Sequence, residues 1–127
     1  EKIVLIVFAN NSHEIYAGYK PSKDREIYKL IDDAVLKSKN IKWGHGTSII
    51  SLLRFSKPRI SKNTKLVLIT DGYFEPDTEY SSSVIRNLLL DLESKGLSHI
   101  DFVGVKIENK ERIYKWVAKT NIQISFF

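Results

Sequence analysis

The 127-residue chain contains no cysteine and no methionine. Without cysteine it forms neither disulfides nor thiolate metal sites. Its three histidines, His13, His45 and His99, are scattered along the sequence, which argues against a zinc site of the usual ligand spacing. No apolar run approaches the roughly 20 residues that a membrane-spanning helix needs. The N-terminus enters an apolar strand pattern directly, without the regions of a signal peptide, so no membrane partner is expected. A phosphate-binding loop ending in Gly-Lys-Ser/Thr is missing. Gly44 and Gly46, with no third glycine and no strand just before them, do not make a dinucleotide fingerprint. A chain that starts at Glu1 and has no methionine is expected to be processed, or to be part of something longer.

What remains is the composition of an ordinary globular protein, 43% hydrophobic and 28% charged. The length suits one domain over residues 1–127, able to bury about two thirds of its unfolded surface. The net charge is +5, and 15 of the 20 basic residues are lysine. A lysine-rich surface reads first as a solvated face, and only second as a face for nucleic acid or another anion. A nucleic-acid partner is therefore not expected.

"KIVLIVFA" (2–9) is a continuous, β-branched apolar run, the pattern of a buried strand. "HEIYAGYK" (13–20) alternates loosely and pairs with it as an edge strand through an Asn-Asn-Ser turn. Pro21 and Ser22 open a helical pattern with Ile27, Leu30, Ile31, Ala34 and Val35. The glycine-rich loop 44–46 leads into a shorter helix bearing Ile49, Ile50, Leu52, Leu53 and Phe55. After the basic loop 56–64 comes a second buried strand, "KLVLIT" (65–70). A turn-rich connection follows, whose serines can cap a helix with Val84, Ile85, Leu88, Leu89 and Leu92, stopped by Gly96. "IDFVGVKI" (100–107) reads as a third buried strand. Asn109 can cap a helix with Ile113, Trp116 and Val117, and "IQISFF" closes the chain as a strand. Apolar strands alternating with helices predict a Rossmann-like, three-layer α/β/α fold. Its sheet is mostly parallel, with one antiparallel edge strand, and is covered on both faces.

In such sheets ligands bind at the carboxyl ends of the strands. Asp71 follows the strand ending in Thr70, and Thr47 opens a helix after the glycine loop. A hydroxyl and a carboxylate, completed by waters, suit magnesium, which takes few protein ligands. The plainer alternative makes Thr47 an N-cap and Asp71–Gly72 a turn. Asp71, Glu75, Asp77 and Asp101 also permit a nuclease-like carboxylate cluster. "GHGTS" is similar to the histidine segment of subtilisin-like proteases, but the accompanying aspartate and serine segments are absent.

The order "VLIVFANNSHEIY", "GHGTSI", "KLVLITDGYFEP" resembles the middle and later part of a von Willebrand factor A-type domain. The likeness is greatest to the intracellular kind found beside chelatases and AAA-type ATPases, and it covers roughly residues 2–107. It implies a cytoplasmic, non-enzymatic protein-binding module. Thr47 and Asp71 would bind a magnesium ion whose last ligand is an acidic group of a protein partner. Gly44 and Gly46 would let the loop approach, and Ser48 would add a hydrogen bond. His45, Gly72, Asn10 and Ser12 border the same edge and complete the expected partner-binding set.

One departure bears on all of this. The family's first metal motif, Asp-x-Ser-x-Ser, ends the central first strand, and this chain has none. Residues 2–8 then correspond to the family's second strand. The strands at 2–8 and 65–70 are expected to lack the neighbour that separates them, with metal affinity weak or nil. The missing strand would come from an upstream segment or another chain, or the sheet would close directly. Two rival functions stand beside this one. The first is a small magnesium-dependent hydrolase or nuclease using Asp71, Glu75 and Asp77. The second is a metal-free structural or nucleic-acid-associated domain acting through "KPRISKNTK".

Overall fold

The computed structural model describes residues 2–8, 12–19, 25–26, 29–30, 32–33, 36, 48–70, 79–105 and 107–127. Strand β1 (Lys2–Phe8) pairs antiparallel with β2 (Ser12–Tyr19). Helix α1 (Ile49–Ser56) and a 3-10 turn (Lys57–Arg59) precede β3 (Thr64–Thr70). Helix α2 (Glu79–Lys95), β4 (Leu97–Val103), α3 (Ile107–Val117) and β5 (Gln123–Phe126) complete the order. The positions described between 25 and 36 have helical backbone.

The sheet runs β2-β1-β3-β4-β5, with every pair parallel except β1–β2. This is the expected α/β architecture, a mostly parallel sheet with one antiparallel edge strand. The strands expected to lack a neighbour are each other's neighbours. β1 pairs with β3 along its whole length, from Lys2 opposite Thr64 to Phe8 opposite Thr70. In this structure the sheet closes directly.

From β1 the chain first turns back to β2 at the sheet's outer edge, and then steps through β3 and β4 to β5, each parallel to its predecessor in the sheet. The right-handed crossovers β3–α2–β4 and β4–α3–β5 put α2 and α3 on one face, and α1 packs on the same face. That face holds Val4, Ile6, Leu66, Leu68, Ile100 and Phe102. They form a single core with Leu52 and Leu53 of α1, Ile85, Leu89 and Leu92 of α2, and Ile113, Trp116 and Val117 of α3. The opposite face is covered less evenly. Leu5 and Ile69 are buried there with Val67, Val103 and the helical Leu30 against them. Toward β4 the same face turns polar, where Lys65 and Asp101 form a 3.1 Å ion pair.

Several boundaries differ from expectation for local reasons. The strand expected at 100–107 starts at Leu97 and stops at Val103, because Gly104 takes φ +89° and turns the chain out of the sheet. Asn109 lies inside α3 rather than capping it, is buried, and accepts a hydrogen bond from Arg112 (2.9 Å). Ser81, Ser82 and Ser83 lie inside α2, which already begins at Glu79. Gly96 does end that helix, at φ +119°. It sits so close to the 61–62 turn that a Cβ there would be 2.5 Å from the Lys62 Cα, so neither the dihedral nor the space admits a larger residue.

Candidate functional site

The register fixes one edge of the sheet as the place where strands end. Phe8 lies opposite Thr70, Ile69 opposite Val103, and Phe102 opposite Phe126. Ser12, the first residue of β2, lies opposite Phe8 and belongs to the same edge. The helices begin there as well. Each runs back to the amino edge, where a short connection enters the next strand: α2 ends at Lys95, and the Thr64 N–H donates to the Gly96 carbonyl (3.0 Å). The N-termini of α1, α2 and α3 therefore converge on the carboxyl edge, and their partial positive charge favours an anion there.

Ser48 is the N-cap of α1. It has extended backbone (φ −75°, ψ 112°), and its hydroxyl accepts from the Ser51 N–H at 3.3 Å. The cap is thus one residue later than Thr47. Ile49 follows directly and is buried beside Leu68 and Phe102, which brings the start of α1 to the carboxyl half of the sheet. Thr70, the last residue of β3, is buried.

Gly104 is a feature that the sequence reading missed. It caps the end of β4, and a Cβ on it would stand 2.5 Å from the Thr70 carbonyl oxygen. Its N–H donates to the Phe127 carbonyl (3.0 Å), and the Phe127 N–H donates to the Phe102 carbonyl (2.8 Å). Gly104 therefore ties the ends of β3, β4 and β5 together, beside Thr70, the residue that Asp71 follows. The available signal was a lone glycine inside an apolar run, which marks close backbone approach.

Of the expected site residues, Ser48 and Ser12 are placed as above. Thr47, Asp71, Gly44, His45, Gly46, Gly72 and Asn10 lie outside the described residues, as do Glu75 and Asp77. Asp101 belongs to no acidic cluster among the described residues, since its carboxylate faces Lys65. The described residues hold no group of three or more His, Asp or Glu side chains able to take a metal ion. Among the side chains described at this edge, Ser48 supplies a hydroxyl already used as a helix cap, and this does not by itself fit a magnesium site.

Beneath the helices, Ile49, Leu53, Leu68, Ile85, Phe102 and Trp116 line a void of about 10 Å³. That is room for one water-sized body in wholly apolar surroundings, so this part of the core is not a ligand pocket. No helix among the described residues is long and apolar enough to cross a membrane. In comparisons with known proteins, no family model matches the chain, and no curated protein or solved structure matches it either.

Proposed function

We propose that the chain is a protein-binding module of the von Willebrand factor A kind, working in the cytoplasm and without catalytic activity. Its carboxyl edge would recognise an acidic group of a protein partner. One observation carries the reading: the end of β3, the start of α1 and the N-termini of α2 and α3 share this edge. The chain leaves Thr70 into Asp71 and enters Ser48 from Thr47, so the two candidate ligands are each one peptide bond from a residue of that edge. A partner's carboxylate approaching there meets a helix N-terminus, which favours negative charge.

Thr47 and Asp71 would hold magnesium together with waters, and the ion would supply an electrophilic contact for the partner's carboxylate. With no Asp-x-Ser-x-Ser motif in this sequence, that donor set is incomplete. Gly44 and Gly46 would let the loop approach, while His45, Ser48, Gly72, Asn10 and Ser12 would border the partner.

The test is a manganese titration of the full chain, followed by paramagnetic broadening in NMR spectra. The expected result is broadening of the Thr47 and Asp71 signals, abolished by Asp71→Asn. Absence of broadening at millimolar manganese overturns the metal site. Magnesium-dependent cleavage of a phosphodiester, abolished by Asp71→Asn, replaces the binding module with the hydrolase.

A further inference from the structure

We infer that the amino edge of the sheet, opposite the candidate site, is a sequence-independent binding surface for the phosphate backbone of nucleic acid. The basic residues concerned are dispersed between positions 62 and 119: only Lys62 belongs to the basic segment "KPRISKNTK", and the topology brings the other two beside it. Lys62 lies in the turn entering β3, Lys95 ends α2, and Lys119 follows α3 on the way to β5. The Gly96 contact packs the Lys62 turn against the Lys95 turn. The Asn121 N–H donates to Glu93 Oε2 at 2.7 Å, which brings the Lys119 turn to the same end of α2.

Lys62, Lys95 and Lys119 are all exposed. Of the nearby described carboxylates, Asp91 is paired with Lys57 at 2.8 Å and Asp101 with Lys65 at 3.1 Å, while Glu93 accepts from the Asn121 N–H and keeps its charge, which leaves three ammonium groups against one carboxylate. Lys95 complements the negative end of α2, but Lys62 and Lys119 stand outside any helix and have no such duty.

The partner's chemistry follows from what accompanies these charges. The exposed large apolar side chains among the described residues are Leu36, Leu90, Tyr114 and Phe127. None lies in these three turns, so nothing there inserts into a bilayer. A protein partner is also disfavoured, because interfaces gain most of their energy from buried aromatic and arginine anchors. Strands lie about 4.8 Å apart, so the edge from β3 to β5 spans roughly 10 Å. A duplex presents one phosphate charge per ~1.7 Å of axis, and so offers several phosphates over that width. Among the described residues no exposed large aromatic lies in these turns to stack on bases, so the contact is electrostatic and blind to sequence.

The experiment is fluorescence anisotropy of a labelled mixed-sequence DNA duplex with the full chain, over a salt series. Three lysine–phosphate contacts contribute about −2.7 to the log–log salt slope. The triple variant Lys62→Gln/Lys95→Gln/Lys119→Gln should flatten it by about 2.7 while keeping the native circular dichroism spectrum. Asp71→Asn should leave duplex binding unchanged, which separates this surface from the carboxyl edge. The inference is overturned if the duplex fails to bind at low salt, or if the triple variant keeps the wild-type slope. It is also overturned if phosphatidylserine vesicles or polyglutamate bind more tightly than the duplex.

Discussion

Gly104 lies directly over the Thr70 carbonyl, with φ +89° and only 2.5 Å between that oxygen and any Cβ that might be added. Both facts oppose a side chain. Gly104→Ala should therefore cost about 1–3 kcal/mol from the backbone conformation alone, and the displaced Thr70 carbonyl should add to it. Urea unfolding measures the loss. If Asp71 reads a partner's acid, the same substitution should weaken partner binding beyond the unfolded fraction, because Asp71 follows Thr70 directly.

The ion pair between Lys65 and Asp101 stands on the less covered face of the sheet, with 27% and 14% of the two side chains exposed. At that burial a lone charge is costly, whereas removing both charges is less so. Lys65→Met leaves the mostly buried Asp101 carboxylate without its partner, and should destabilise more than the Lys65→Met/Asp101→Leu double variant. A double-mutant cycle read by denaturant unfolding should give a coupling of about 0.5–3 kcal/mol. A coupling near zero would mean that water screens the pair fully.

The sheet was legible because its strands are apolar runs that hardly any other structure explains. Val4, Ile6, Leu66 and Leu68 alternate with residues of the second face as a buried parallel sheet requires. Helix α2 was legible from Ile85, Leu89 and Leu92 at helical spacing, ended by Gly96. The limits of β4 were not. Val105 and Ile107 continue its apolar character past Gly104, and only the three-dimensional contact with Thr70 shows that the chain turns there. Direct pairing of β1 with β3 was one of three outcomes open from sequence, because pairing partners depend on which surfaces meet and not on any local pattern. The candidate site was legible as a location, an edge reached from Thr70 and Ser48. Of the amino-edge lysines only Lys62 stood in a basic segment visible in the sequence, "KPRISKNTK"; Lys95 and Lys119 become its neighbours only through the turns beside Gly96 and Asn121.

Asp91 on α2 accepts from the Lys57 ammonium at 2.8 Å. This hydrogen bond, aided by the charges of Lys57 and Lys95, holds the carboxyl below its ordinary value against a smaller opposing effect of desolvation. A depressed folded-state pKa contributes stability above the unfolded value and loses it as pH falls through the folded one. Wild-type stability should thus fall more than that of Asp91→Asn as pH drops below about 4. Both side chains are nearly half exposed, so the difference should be small and should fade in ~1 M salt. Paired urea titrations at neutral and acid pH check the sign.

Ser48 has two possible duties, and they separate by substitution. As the N-cap of α1 its hydroxyl accepts from the Ser51 N–H, so Ser48→Ala should cost about 0.5–2 kcal/mol. Aspartate caps a helix as well as serine and adds a favourable charge at the N-terminus, so Ser48→Asp should restore stability to near the wild-type level. If the carboxyl edge receives an acidic group, that new carboxylate repels it, and the Asp variant should bind the partner more weakly than the less stable Ala variant. Capping alone predicts the opposite order, with affinity following stability. Denaturation midpoints and partner titrations on the same two proteins therefore decide whether Ser48 serves the helix alone or the site as well.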